Sequence, residues 1–282
     1  MISPKPIGPI DYLVVGHLSC DLTPEGPKLG GTASYSALTA AALGLRVGIV
    51  SKWGGEVPLN PLSGVQLTIT KTEHSTTFEN VQTPTGRVQY IHFVAPDFAP
   101  AEIPEIWART PIVHIGPIAG EGKRLIEENV FSSFLGLTPQ GWLRKWDGDH
   151  KVLACRWPEG EKALKNADAA VISLEDVGGD DEVIETMATS CPVLAVTEGA
   201  NGARLYWNGD RRKFRAPEQM EVDSTGAGDI FAAAFFWRLY TTRNPWAATE
   251  FATHLASYSV GRSGLGGIPT KEEIQRCLRE VL

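Results

Sequence analysis

Two carboxylates, Asp21 and Asp229, and two glycine-rich stretches, Gly30-Gly31 and Gly226-Ala227-Gly228, mark where this chain could do chemistry. The later stretch lies in the string Val222-Asp223-Ser224-Thr225-Gly226-Ala227-Gly228-Asp229 and runs straight into the apolar segment Ile230 to Tyr240, which reads as a helix. Small residues at a helix N-terminus leave backbone N–H groups uncovered at the positive end of the helix dipole, and such a nest binds anions. An aspartate directly after the nest would repel a bound anion unless its charge had a use. One use is to take the proton of a hydroxyl that attacks the anion. A glycine needed only for close packing requires no flanking acids and hydroxyls, so the whole string points to phosphoryl chemistry.

The string resembles the C-terminal signature of the ribokinase-like (pfkB) carbohydrate and nucleoside kinases, D-T-x-G-A-G-D, with Ser224 keeping the hydroxyl where that pattern has Thr. Gly30-Gly31 ahead of a helix is the second match, and order, spacing and length extend the resemblance over nearly the whole chain. It implies one α/β domain over residues 1–282, a three-layer doubly wound sandwich with a reduced β-hairpin lid built near 16–30 and 76–94. It also implies ATP and Mg2+, and transfer of the γ-phosphoryl group to a hydroxyl of a small sugar or polyol. Val14-Val15-Gly16-His17, the short connection after it and the glycine pair look most similar to the myo-inositol kinase branch.

The resemblance assigns roles residue by residue. Asp229 is the expected catalytic base, and Gly226, Ala227 and Gly228 the N–H donors to the transferring phosphoryl oxygens. Thr225 would help hold phosphate. Asp223 reads either as a structural cap or as a ligand of a monovalent cation. Thr197-Glu198-Gly199-Ala200-Asn201-Gly202 resembles the family's T-x-G-x-x-G stretch, which assigns Thr197, Gly199 and Gly202 to the nucleotide phosphates. Asp21 follows the first strand, and a carboxylate can accept from two neighbouring hydroxyls of an acceptor at once. Gly30 and Gly31 let the backbone approach that acceptor. Where many relatives carry Asn after the glycines this chain has Tyr35, preceded by Ser34. Tyrosine still offers a hydroxyl but fills more of the pocket, which argues against ribose. Asn80, Arg87 and Gln89 on the 76–94 hairpin are placed to reach the acceptor, or to stand as exposed strand residues. The family's N-x-x-E aligns with Ser173-Leu174-Glu175-Asp176, so magnesium would fall to Glu175 or Asp176.

These residues need a scaffold of alternating strands and helices. Ile10 to Val15, a helix from Thr32 to Leu43 closed by Gly44, and a strand from Arg46 to Ser51 form a strand–helix–strand unit, the mark of a parallel sheet. Thr76 to Val81 and Arg87 to Val94 read as a hairpin around Pro84-Thr85-Gly86. Further strands are expected at Ile112–Ile115, Phe134–Leu137, Ala169–Ser173 and Val193–Thr197, with a helix over Asp180–Thr189. Ala203–Trp207 and Lys213–Ala216 flank Asn208-Gly209-Asp210, a hairpin turn. Helices start at Gly226, Pro245 and Thr270, the last with the capping box Thr270-Lys271-Glu272-Glu273. Ligands of such a sheet gather at the C-terminal ends of its strands. The adenine pocket is expected around Phe251 to Gly264, although Phe251, His254 and Tyr258 equally form a core-facing stripe.

Composition sets the outer bounds. A chain of 282 residues, 43% hydrophobic, can bury a large core as one domain. A net charge of −7 with no basic cluster argues against nucleic acid. Arg211-Arg212-Lys213 is the densest basic run and reads as a solvated hairpin edge. No apolar run is long enough to cross a bilayer, the first residues lack a signal-peptide pattern, and the four scattered cysteines suit reduced thiols in a cytoplasm. The histidines show no zinc spacing. A monomer or a homodimer is expected. Three other functions compete: a nucleoside or ribose kinase, a non-catalytic protein that kept the nest, and a dinucleotide-dependent dehydrogenase. The last lacks Gly-x-Gly-x-x-Gly after the first strand.

Overall fold

The computed structural model describes residues 7–83 and 86–280, with only the backbone of Gln82 and Arg87. The expected Pro84-Thr85 turn and the Arg87 side chain therefore lie outside the described residues. The first half contains β1 (Tyr12–Val15), β2 (Ser19–Thr23), β3 (Gly26–Gly30), α1 (Thr32–Ala42), β4 (Val47–Trp53), β5 (Gln66–Lys71), β6 (Thr76–Thr83), β7 (Gly86–Phe93), β8 (Ile112–Ile115), α2 (Lys123–Glu127) and β9 (Phe134–Leu137). The second half contains β10 (Arg144–Trp146), β11 (Val152–Ala154), α3 (Gly160–Lys165), β12 (Ala169–Ser173), α4 (Asp181–Ser190), β13 (Val193–Thr197), β14 (Ala203–Trp207), β15 (Asp210–Phe214), α5 (Ala227–Thr242), α6 (Pro245–Ser259) and α7 (Lys271–Glu280).

Nine strands form the central sheet in the order β15-β14-β13-β12-β9-β8-β1-β4-β5. From β13 to β5 neighbours run parallel, and β14 and β15 add an antiparallel edge. Helices cover both faces because strand side chains alternate. Tyr12 and Val14 of β1 enter a core under α1, α5 and α6, while Leu13 and Val15 enter a second core under α2, α3 and α4. The doubly wound α/β sandwich expected from the sequence is therefore what the chain forms.

A second sheet, β3-β2-β6-β7, stands over the C-terminal ends of the strands as a lid. Eight residues between Asp21 and Gly30 suffice for a hairpin here, because Pro24 and Glu25 turn it in two residues and the Thr23 hydroxyl donates to the Gly26 carbonyl at 2.8 Å. The 76–94 hairpin is thus not alone: β2 lies alongside β6 in parallel register.

Three boundaries differ from expectation for local reasons. The last edge strand begins at Asp210, not Lys213, because Asn208 and Gly209 both take positive φ and pair Trp207 directly with Asp210. Asp180 lies outside its helix as a cap, accepting from the N–H groups of Glu182 and Val183. Gly226 likewise caps α5 rather than opening it. The strand β5 and the small sheet β10-β11 had no expectation from sequence. At the C-terminus the capping box forms as expected, with Thr270 N–H donating to Glu273 at 2.8 Å and Glu273 N–H to Thr270 at 3.2 Å. All four cysteines are free thiols. No helix among the described residues is long and apolar enough to cross a membrane.

Candidate active site

Asp229 and the glycine-rich string before it, the expected base and nest, are placed by the entry into α5. Gly226 takes φ 81°, in the left-handed region, and a Cβ there would fall 2.2 Å from the Tyr35 ring. Only glycine fits both demands. The Ala227 N–H turns back to the Ser224 carbonyl at 3.2 Å. The N–H groups of Gly228 and Asp229 lie in the first helical turn, where no intrahelical acceptor exists. Tyr35 is buried, so its ring supports Gly226 from below while its hydroxyl points toward Gly264. Burial, then Asp21, Asp229 and Asp223, hold its phenol above the ordinary tyrosine value.

Asp229 is fixed from α1: the Thr32 hydroxyl bonds its carboxylate, and the Ser36 hydroxyl donates to its carbonyl at 3.2 Å. Burial pushes its carboxyl up to about 6, with Asp176 and Asp21 adding to the rise and Thr32 and Arg144 opposing it. Those same interactions show what the fold gathers at one spot. Asp21 comes from the lid, Thr32 from α1, Arg144 from β10, Asp176 from the turn after β12 and Asp229 from α5. Asp21, Asp176 and Asp229 were named from the sequence. Thr32 and Arg144 were not. Thr32 directly follows the glycine pair and was legible there, whereas nothing local marks Arg144.

Gly30 is shaped by Asp21. A Cβ on Gly30 would lie 2.0 Å from Asp21 Oδ2 and 2.8 Å from Ser19 Oγ, so the carboxylate rests across bare backbone. Ser19 donates to Asp21 Oδ1 at 2.7 Å and fixes its rotamer. Gly31 caps α1 in the left-handed region at φ 87°. The Ser34 hydroxyl is engaged with the Gly30 carbonyl at 2.6 Å and is buried. On the lid Asp21 pairs with Phe78, two residues before Asn80 on the same face. Asn80 and Gln89 face each other across β6 and β7, joined at 3.0 Å.

The stretches expected from sequence to meet the nucleotide phosphates come next. Thr197 ends β13, and Gly199 to Asn201 form a tight turn closed by Glu198 N–H donating to Gly202 O at 2.7 Å. The buried Glu198 carboxylate meets Lys213 at 2.7 Å. Asp223 accepts from Thr225 N–H at 2.9 Å and Gly264 N–H at 2.8 Å, tying the nest to the 264–267 turn. Burial raises its carboxyl, but the bonds from Thr225, Gly264 and Ser263 outweigh it and hold it below the usual range. Both Asp223 oxygens are thus engaged by backbone N–H groups, as the structural-cap alternative expects. Phe251 is fully buried in the core, while the loop before the nest carries Met220, 84% exposed, and Val222, 61% exposed.

Asp176 closes a capping box on Ser173, accepting its N–H at 2.8 Å, and takes a second bond from Gln140 Nε2 at 3.1 Å. Glu175 points to solvent. No group of three or more His, Cys, Asp or Glu able to hold a metal occurs among the described residues. Magnesium needs no such cage, since it keeps waters and uses one or two carboxylates with phosphate, and Asp176 suits that role.

Residues 166–271, which span Asp176, the Thr197–Gly202 turn and the nest, match the model of the pfkB family carbohydrate kinases. Over that segment the chain is similar to that family. The chain is 28% identical over 254 residues to the cytidine kinase of Thermococcus kodakarensis, covering 80% of this chain and 87% of that one. It is 43% identical over 148 residues to the inositol 3-kinase of Zea mays, 51% of this chain and 37% of that one. The fold is like that of a pyrophosphate-dependent ribokinase-family kinase complexed with a pyrophosphate analogue and myo-inositol. The TM-score there is 0.75 at 22% identity, over 94% of this chain and 99% of the other.

Proposed function

We propose that this pfkB enzyme transfers the γ-phosphoryl group of ATP to a hydroxyl of a small polyol, with myo-inositol the favoured acceptor. The observation that carries the reading is the Asp229 carboxylate beside first-turn N–H groups of α5, facing Asp21 on the lid. The acceptor oxygen forms a bond to the γ-phosphorus as the bridging P–O bond breaks. The bonding pair leaves on the β-phosphate oxygen of ADP, and the hydroxyl proton passes to Asp229. With its carboxyl near 6, Asp229 is mostly ionised at pH 7 yet basic enough to receive that proton. The N–H groups at the start of α5 stabilise charge on the transferring group. Magnesium, when bound, would neutralise the donor phosphates, and Asp176 would hold it through its waters. Asp21 would accept from two vicinal acceptor hydroxyls, with the Asn80–Gln89 pair available to others.

ATP as donor is supported by the exposed apolar Met220 and Val222 next to the nest, a surface a base would cover and pyrophosphate would not. Myo-inositol is supported by the Zea mays relative, an inositol 3-kinase 43% identical over about half of this chain. The broad match to a cytidine kinase favours a nucleoside as the second reading. The test is a coupled assay with ATP or pyrophosphate as donor, magnesium present, across myo-inositol, ribose, fructose, adenosine and cytidine. Turnover with ATP and myo-inositol, lost in Asp229→Asn, is expected. Preference for cytidine or for pyrophosphate would replace the acceptor or the donor accordingly, and no turnover with any pair would sink the kinase reading.

A further inference from the structure

We infer that His17 is a positioning residue of this reaction: its buried ring clasps the legs of the lid together and so fixes where Asp21 meets the acceptor. The inference rests on the kinase reading above. The chain enters or leaves the lid at four places, and His17 reaches all of them. It lies itself on the first, between the end of β1 at Val15 and the start of β2 at Ser19. On the second, between β3 and α1, a Cβ on Gly31 would fall 2.8 Å from the His17 carbonyl oxygen, so bare backbone packs against it. On the third, the Thr76 hydroxyl at the start of β6 bonds the ring at Nδ1, 2.8 Å away. On the fourth, leaving β7, the Pro96 carbonyl accepts from Nε2 at 3.0 Å. A carbonyl can only accept, so Nε2 carries a proton and Nδ1 is left to accept from the Thr76 hydroxyl. Thr76 Oγ1 accepts in turn from Ala95 N–H at 3.1 Å, which joins the third leg to the fourth.

The clasp is anchored to the central sheet. His17 N–H donates to Glu121 Oε1 at 3.0 Å, in the loop after β8, and the same carboxylate accepts from the Ile118 and Ala119 N–H groups at 2.9 and 2.8 Å. Gly122 N–H donates to Asp97 Oδ1 at 2.6 Å, fastening that loop to the fourth leg as well. The Phe98 ring lies against the imidazole with 5.1 Å between centroids. His17, Thr76 and Glu121 are all buried. An apolar side chain would fill the space at a smaller desolvation cost, because buried polar groups destabilise unless each is bonded. A buried network whose members are all bonded instead specifies one arrangement. Here that arrangement fixes the strands that carry the acceptor residues. Ser19 stands opposite Thr76 and Asp21 opposite Phe78 in the pairing of β2 with β6, and β6 continues to Asn80. The ring is closed off from solvent, so it acts through the strands it holds.

The experiment compares wild type, His17→Leu, Thr76→Val and Thr76→Ser. It reads acceptor KM, donor KM and kcat with ATP, magnesium and the acceptor that wild type uses, and ATP hydrolysis without acceptor. Amide hydrogen exchange of β6 and β7 and a thermal melt accompany the kinetics. His17→Leu is expected to raise acceptor KM about 10-fold or more with donor KM within about 2-fold, because the Pro96 carbonyl and the Thr76 hydroxyl lose their partner. Acceptor-free hydrolysis should rise relative to transfer, since a loosened lid admits water. Exchange in β6 and β7 should quicken ahead of exchange in β1 and β8. Thr76→Val removes one bond at nearly constant shape and should move each readout the same way by less, which decides the matter if His17→Leu fails to fold. Thr76→Ser keeps the hydroxyl and should stay near wild type. Unchanged acceptor KM and hydrolysis ratio in Thr76→Val would overturn the assignment. So would equal effects of Val and Ser, or exchange that quickens evenly through the molecule, since those patterns belong to a merely structural residue. Absence of transfer by wild type to any acceptor would instead overturn the kinase reading, and the positioning role with it.

Discussion

Asp229→Asn should make the protein more stable while it removes catalysis, and the size of the gain can be worked from the site. The carboxyl stands at about 6 in the folded chain against an ordinary 3.8. That gap of about two units corresponds to roughly 3 kcal/mol against the ionised folded state. Part of the carboxylate reaches the cleft, so about 2 kcal/mol is the working figure. Its sign follows from proton binding. Between 3.8 and 6 the folded state binds more protons than the unfolded one, so wild-type stability from this group is full below the lower value and is lost as pH rises through the upper. Asparagine is neutral throughout and still accepts from the Thr32 hydroxyl, so it escapes the loss. Thermal melts of both proteins, without nucleotide, from pH 4 to pH 8 provide the assay. The curves should meet near pH 4 and separate with rising pH, with the variant roughly 4–6 °C higher in Tm at neutral pH. Turnover should fall by about 10²–10⁴-fold. A Tm difference that does not change with pH would refute the electrostatic account of Asp229, and retained turnover would refute its role as base.

Two further substitutions test the glycines. Gly30→Ala places a methyl 2.0 Å from Asp21 Oδ2, so the carboxylate must swing away. Losing its charge-assisted bonds to the acceptor, about 1.5–3 kcal/mol, should raise acceptor KM at least 10-fold with a smaller effect on donor KM. Steady-state kinetics with each substrate varied will show it. Gly226→Ala combines a left-handed backbone with a methyl 2.2 Å from the Tyr35 ring. The backbone alone costs about 1–2 kcal/mol, so a lower Tm and a higher donor KM are expected together.

How much was legible before the fold was known depended on whether the signal was local. The parallel strands Ile112–Ile115, Phe134–Leu137, Ala169–Ser173 and Val193–Thr197 form over the residues expected, because each is a short apolar run bounded by polar or turn residues. The strands β2 and β3 fall within the lid region expected near 16–30, but their bounds are not legible in sequence because they are short and mixed in polarity, and β2 bonds partly to β6, more than fifty residues away. The edge strand β15 was displaced by three residues, since charged side chains gave no pattern and the turn alone set the register.

By itself the sequence determined the chemistry at the ends of elements. A nest of small residues with an acid behind it, a glycine pair before a helix and an acid after the first strand are short-range facts, set by backbone freedom and residue type. Tertiary structure decided which of those ends meet and what surrounds them. It placed the Tyr35 ring beneath Gly226, engaged Ser34 with its own helix start and tied Asp223 to the 264–267 turn. It also brought Arg144 of β10 and Asp176 of the turn after β12 close enough to act on one carboxylate. The physical reason is that charge and burial act through space. The proton affinity of Asp229 is set by neighbours from four other parts of the chain, and no window of sequence contains them.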